Sequence, residues 1–200
     1  MVCYRQASYA SPLRVDPSRR PGRYHRGDEE EATQYLCLHP LGPLAELMRA
    51  HSLRAEEQLR LVRARTWALR LELDGLLEIT FASAAGHGIE PERLVDDDQS
   101  GCRELAVRLR RETPGLIVPS AALPGTRNVV LFGPRVVSPY LDEPVTALDV
   151  PASVTADGAR PLRGLLEAVR FQGELHAELE AWRHGEPFPF GEPDWSLAPA

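Results

Sequence analysis

The chain has 200 residues, of which 43% are hydrophobic and 26% charged, with a net charge of -6. These values fit one folded domain with its own apolar core, and the negative balance argues against a general nucleic-acid coat. No stretch is long and apolar enough to span a bilayer. Cys3, Cys37 and Cys102 show no metal-ligand spacing, which argues against a zinc site.

The distribution of charge says more than its sum. Arg5, Arg14, Arg19, Arg20, Arg23 and Arg26 crowd the first 27 residues against a single acid, Asp16, and an acidic run from Asp28 to Glu31 follows. All 23 basic residues are arginine, a compositional bias that carries no functional argument by itself. An odd number of distant cysteines suits a reduced, cytoplasmic setting. The opening Met-Val-Cys-Tyr-Arg has no apolar run and does not read as a signal peptide. The six histidines, His25, His39, His51, His87, His176 and His184, lack i,i+4 metal spacing, so no metal site is expected.

In chain order, residues 3–7 read as a short strand. Residues 8–27, rich in Pro, Arg, Ser and Gly, read as an irregular loop, of a length that is often functional when real. A strand is expected over 33–38, ended by His39-Pro40 because the residue before proline avoids the helical region. A helix over 41–51 carries Leu44, Leu47 and Met48 on one face. Residues 54–62 extend it or start another. Strands are expected over 66–72 and 76–80, and a loop over 86–101. A helix over 102–112 faces Leu105, Ala106 and Leu109 inward and stops at Pro114-Gly115. Buried strands over 116–118 and 128–132 flank the loop that holds Ser120. Residues 134–157 read as mostly extended. A long helix is expected over 160–182, with a kink at Gly173, and then a proline-rich tail over 185–200. The expected whole is an α+β single domain with a mixed sheet and a C-terminal helix.

Four residues stand out for chemistry. Arg23 lies in a Gly/Pro loop where a planar guanidinium can grip phosphate oxygens in pairs. The plainer reading is a solvated loop arginine. Glu46 sits inside the apolar turn 43–48, where a carboxylate can stand at the edge of a cleft and steady an oxocarbenium-like sugar cation. The plainer reading is a surface carboxylate pairing with Arg49. Tyr35 can stack on a nicotinamide or adenine ring, or simply fill the core. Ser120, at a strand end, can bind a ribose hydroxyl or a phosphate, or bond its own turn. It lacks a nucleophile-elbow pattern. No Rossmann or P-loop glycine pattern exists. Together these residues suggest chemistry on a dinucleotide.

The set resembles the RES-domain family, named for its Arg, Glu and Ser. The resemblance rests on Tyr4-Arg5, then Gly22-Arg23-Tyr24, then Tyr35 leading through Pro40 to Glu46. Pro119-Ser120-Ala121, the turn Pro124-Gly125 and the strand over 128–132 complete it. It covers residues 3–135 as a core and implies a RES domain over 1–184, with 136–184 as an extension and 185–200 as a tail. His25 replaces a common asparagine, and Leu36-Cys37-Leu38 replaces smaller residues. The resemblance implies an ADP-ribosyltransferase-like fold and cleavage of NAD+ at the nicotinamide–ribose bond, by phosphorolysis or hydrolysis. It implies the toxin of a bacterial toxin–antitoxin pair, with an antitoxin that carries a DNA-binding domain and blocks the cleft. NAD+ would be substrate rather than cofactor, and inorganic phosphate a co-substrate. Arg23 would take the pyrophosphate or phosphate, Glu46 the ribose and its cation, Tyr35 the nicotinamide pocket, and Ser120 ribose or phosphate. Tyr4, Arg5 and Tyr24 would belong to the same ligand site. Two other readings stay open: an ADP-ribosyltransferase, and a catalytically inactive interaction module. A homo-oligomer is compatible with this reading.

Overall fold

The structure is a computed structural model that describes residues 1–6, 20–27, 32–59, 61–62, 66–133, 141–145 and 164–193. Residues 7–19, most of 134–157, the first residues of the expected long helix and the end of the tail lie outside the described residues.

Among the described residues seven strands form one mixed sheet. They are β1 (Val2–Gln6), β2 (Thr33–Cys37), β3 (Thr66–Leu71), β4 (Leu77–Glu78), β5 (Gly115–Pro119), β6 (Arg127–Phe132) and β7 (Leu141–Val145). Their spatial order is β4-β5-β6-β2-β1-β3-β7. β4 and β5 run parallel and the other pairs antiparallel. Tyr4 faces Cys37, Cys37 faces Asn128, and Asn128 faces Val118. Directly paired residues point to the same side of a sheet, so these four form one row across its middle.

Each face of the sheet buries its own apolar set. Cys3, Leu36, Leu69, Val129 and Leu131 form a cluster on one side. On the other, Val118, Val130 and Phe132 pack with Cys102, Leu105, Ala106 and Leu109 of helix α3 (Ser100–Leu109) and with Tyr24. α3 thus buries the residues that its helical spacing predicts. Helix α1 (Gly42–His51) lies on this second side as well. Pro43 occupies its first turn, where a missing N–H costs nothing. His39 Nδ1 accepts from Leu41 N–H at 3.2 Å, and Ser52 ends the helix in a left-handed conformation. α1 fits closely because Gly42 has no side chain; a Cβ there would stand 2.6 Å from Cys37 Cβ.

The short helix α2 (Glu56–Leu59) follows, and two 3-10 turns, Ala84–His87 and Pro91–Leu94, break up the expected loop before α3. Among the described residues the expected long C-terminal helix is two short ones, α4 (Leu165–Ala168) and α5 (Ala177–Arg183). The expectation of one continuous helix is therefore corrected. Val169 is extended, with ψ 124°, and Gly173 sits at φ +83°, a left-handed conformation outside any α-helix. The apolar spacing also misled: Leu175, counted on the stripe, is 80% exposed, whereas Arg170 is buried. Leu165, Val169 and Phe171 join Leu41, Leu44, Ala45 and Met48 in a third cluster, so this segment packs against the buried side of α1.

Candidate active site

α1 has two working sides. Leu44, Ala45 and Met48 face the core. Glu46, Leu47 and Ala50 face a cleft of about 330 Å³ between α1 and strands β1 and β2. Tyr4, Arg5, Gln6, Tyr35, Cys37 and His51 complete much of its wall. Four of the residues singled out by the sequence, Tyr4, Arg5, Tyr35 and Glu46, therefore meet in one cleft.

Glu46 does not pair with Arg49 through a hydrogen bond. Instead Asn128 Nδ2 donates to Glu46 Oε1 at 2.8 Å. Arg49 turns to the other side of the helix, where it is buried and paired with Asp97. Burial, with Arg23 and Arg170 nearby, pulls the Arg49 guanidinium below the usual arginine range, and Glu46 and Asp97 oppose that fall. Burial alone would raise the Asp97 carboxyl, but Gly173 N–H, Arg170 and Arg49 outweigh it and hold it below the ordinary range. The Gly173 N–H donates at 2.7 Å and Arg170 Nη1 at 3.1 Å.

Arg23 is absent from the lining of the Glu46 cleft. Its Nη1 donates to the carbonyls of Asp96 at 2.6 Å and Leu94 at 3.5 Å, and its Nη2 is buried without a hydrogen-bond partner among the described residues. It reaches the cleft through its neighbour: Tyr24 N–H donates to the Tyr35 hydroxyl at 2.9 Å. Tyr24 itself is a core residue, 1% exposed, and desolvation drives its phenol well above the usual range. The structure thus separates a cleft with a carboxylate and aromatic walls from a cationic group of Arg23, Arg49 and Arg170 behind α1.

Ser120 lies outside both. It is fully buried, and its hydroxyl accepts from Leu123 N–H at 3.1 Å, the turn-bonding reading. Its carbonyl faces His176 Nε2 at 2.9 Å. Carbonyls only accept, so Nε2 donates there, and Nδ1 accepts from Leu179 N–H at 3.3 Å to cap α5. The Nδ1 contact requires the neutral ring, whereas Nε2–H donates in either state. Burial lowers the His176 imidazole below its ordinary range, against the pull of the Ser120 carbonyl.

Asn128, Arg49, Asp97 and Arg170 escaped the sequence reading. The one signal was Asn128 itself, an amide opening the otherwise apolar run Val129-Val130-Leu131-Phe132. Among the described residues no group of three or more His, Cys, Asp or Glu side chains is placed to hold a metal ion, and no helix is long and apolar enough to cross a membrane. The three cysteines are free and buried. Burial pushes the Cys3 thiol up to about 11 and raises Cys37 and Cys102 as well, so none is a ready nucleophile.

Residues 3–151 match the RES domain. The chain belongs to the RES domain family. The match takes in all seven strands except Val2 at the start of β1 and ends before α4 and α5. A Mycobacterium tuberculosis protein described as a probable NAD(+) phosphorylase is 30% identical over 119 residues. That alignment covers 59% of this chain and 56% of the relative, so the RES-domain chain spans little more than half of that protein. A chain in the crystal structure of the M. tuberculosis MbcT–MbcA toxin–antitoxin complex shares the fold. The TM-score is 0.57 at 23% identity, over 72% of this chain and 82% of that one.

Proposed function

We propose that this RES-domain chain is an NAD+-cleaving enzyme that breaks the nicotinamide–ribose bond and serves as the toxin of a toxin–antitoxin pair. The observation that carries the reading is Glu46. It is a half-buried carboxylate inside an aromatic-walled cleft, held by a neutral amide, with no ion pair to it among the described residues. Family membership, the relative described as a NAD(+) phosphorylase, and the fold shared with a toxin–antitoxin structure support it. The reading includes an ADP-ribosyltransferase-like fold, in keeping with a mixed sheet that carries α1 and α3 on one side.

In this reading Tyr4 and Tyr35 flank the nicotinamide ring, and Arg5 stands at the rim. Glu46 faces the sugar carbon as positive charge grows there, an effect strongest in a site shielded from water. The C–N bond breaks with its electron pair going to the pyridinium nitrogen, which leaves neutral. A phosphate oxygen then closes on the carbon to give ADP-ribose 1″-phosphate, or water does so to give ADP-ribose and a proton. Arg23 supplies the positive field for pyrophosphate or phosphate. Contact of Ser120 with ribose or phosphate would require its turn to open, because the hydroxyl is covered. NAD+ is substrate, and no bound cofactor is invoked. The protein partner would be an antitoxin with a DNA-binding domain, in the cytoplasm, seated over the cleft.

The test is nicotinamide release from NAD+ by the purified chain, with and without phosphate, beside Glu46→Gln. Phosphate-dependent release lost in the variant establishes a phosphorylase. Release without phosphate marks a glycohydrolase, or a transferase if labelled ADP-ribose appears on an acceptor. No release from folded protein in either buffer refutes the enzyme reading.

A further inference from the structure

β6 begins Arg127-Asn128-Val129-Val130, and its register with β2 brings Asn128 beside Cys37 on the side that α1 covers. Glu46 hangs from α1 over this row. A carboxylate only accepts hydrogen bonds, so the amide must turn its nitrogen to Glu46. Nδ2 sits 2.8 Å from Oε1, and the amide oxygen is left buried without a partner among the described residues. An unpaired buried acceptor carries a cost that folds rarely accept without a functional reason. The groups around Glu46 explain why an amide suits this position. Arg49, on the same helix, is drawn off to Asp97. Cys37, below, is a buried thiol held neutral. Tyr4, Tyr35, Arg5 and His51 stand around the cleft wall.

We propose that Asn128 is the positioning residue of this site: its amide nitrogen pins one oxygen of Glu46, leaves the other free to face the sugar carbon, and does so without cancelling the negative charge. An arginine in its place would fix the carboxylate equally well and neutralise it. The inference rests on the reading of Glu46 as the stabiliser of the sugar cation.

Nicotinamide release from NAD+, measured against pH with the full chain and its Asn128→Ala and Asn128→Asp variants, tests it. Asn128→Ala should lower kcat at least tenfold at every pH and leave KM within about twofold, with thermal unfolding still cooperative. Asn128→Asp keeps the shape and is the more telling variant. Two adjoining carboxyls share a proton and titrate as a pair, one of them with a raised pKa. While the pair holds one proton, Asp donates to Glu46 as the amide did, so activity survives on the acid side. It should then fall as pH rises through the raised value, a limb that the wild type lacks. A wild-type enzyme with variants of unchanged kcat and profile overturns this inference alone. Loss of kcat in Asn128→Asp with no new limb marks a packing role and also overturns it. A wild type that releases no nicotinamide overturns the reading of Glu46 and this inference with it.

Discussion

Glu46 was legible because an acid inside Pro43-Leu44-Ala45-Glu46-Leu47-Met48 interrupts an apolar turn. Its partner was not, since Asn128 lies 82 residues away and meets it only through strand register. The same holds for Arg49, three residues from Glu46 and the natural helical partner by spacing, which pairs with Asp97 instead. At this scale the charge of Glu46 is the quantity to remove. Glu46→Gln preserves shape and the ability to accept from Asn128, but not the charge facing a sugar cation. It should lower kcat by roughly 100- to 1,000-fold, in line with the loss of one preorganised electrostatic contact. Nicotinamide release at saturating NAD+ checks it.

Helix α1 places Glu46, and its closeness to β2 depends on position 42. An alanine there gains up to about 1 kcal/mol of helix propensity over glycine. Its Cβ, however, would meet Cys37 Cβ at 2.6 Å. Overpacking of this kind costs about 1–3 kcal/mol, so Gly42→Ala should lower the unfolding temperature, and Gly42→Val lower it further, in a thermal melt. Helix α5 depends on a protonation state. His176 caps it only while Nδ1 can accept, and burial lowers its pKa. An unfolded histidine titrates near pH 6.5. The unfolded chain therefore binds the proton first as pH falls, and the contribution of His176 to stability is present above about pH 6.5 and lost below it. Hydrogen exchange at Leu179 and Glu180 should accelerate as pH drops from 7.5 toward 5.5, after correction for the intrinsic rate. His176→Asn, a good neutral cap, should flatten that dependence.

Across the whole molecule, the segment from α4 to α5 closes the back of the site. Asp97 gathers Arg49 from α1, Arg170 and the Gly173 N–H. Glu178 accepts from Gly125 N–H at 2.8 Å and from Arg127 at 2.7 Å, tying α5 to the start of β6. These ties come from loops far apart in sequence, and a removed carboxylate leaves buried guanidinium charge unmatched. Asp97→Asn should therefore loosen residues 164–193, seen as faster limited proteolysis there while the sheet stays protected. Because the Asp97 carboxyl is held below its ordinary range, its contribution is present above about pH 4 and lost as pH falls through the lowered value. The wild-type segment should loosen below about pH 4, and the variant should change less there, the remaining change coming from Glu174, whose carboxyl Arg54 and the Phe171 N–H also hold low.

The sequence by itself determined the elements whose cause is local. Alternating and β-branched runs marked six strand positions, the spacing of Leu105, Ala106 and Leu109 oriented α3, and Pro40 with Pro43 set the start of α1. It also carried the motif order that places the chain among RES domains. The tertiary structure decided everything that depends on which distant residues meet. Register put Asn128 under Glu46. The chain leaves the helical path at Val169, and Arg170 in that break is buried against Asp97 and the Val95 carbonyl, contacts that the apolar stripe did not announce. Local periodicity records what a segment can bury; only the packed chain settles what it is buried against.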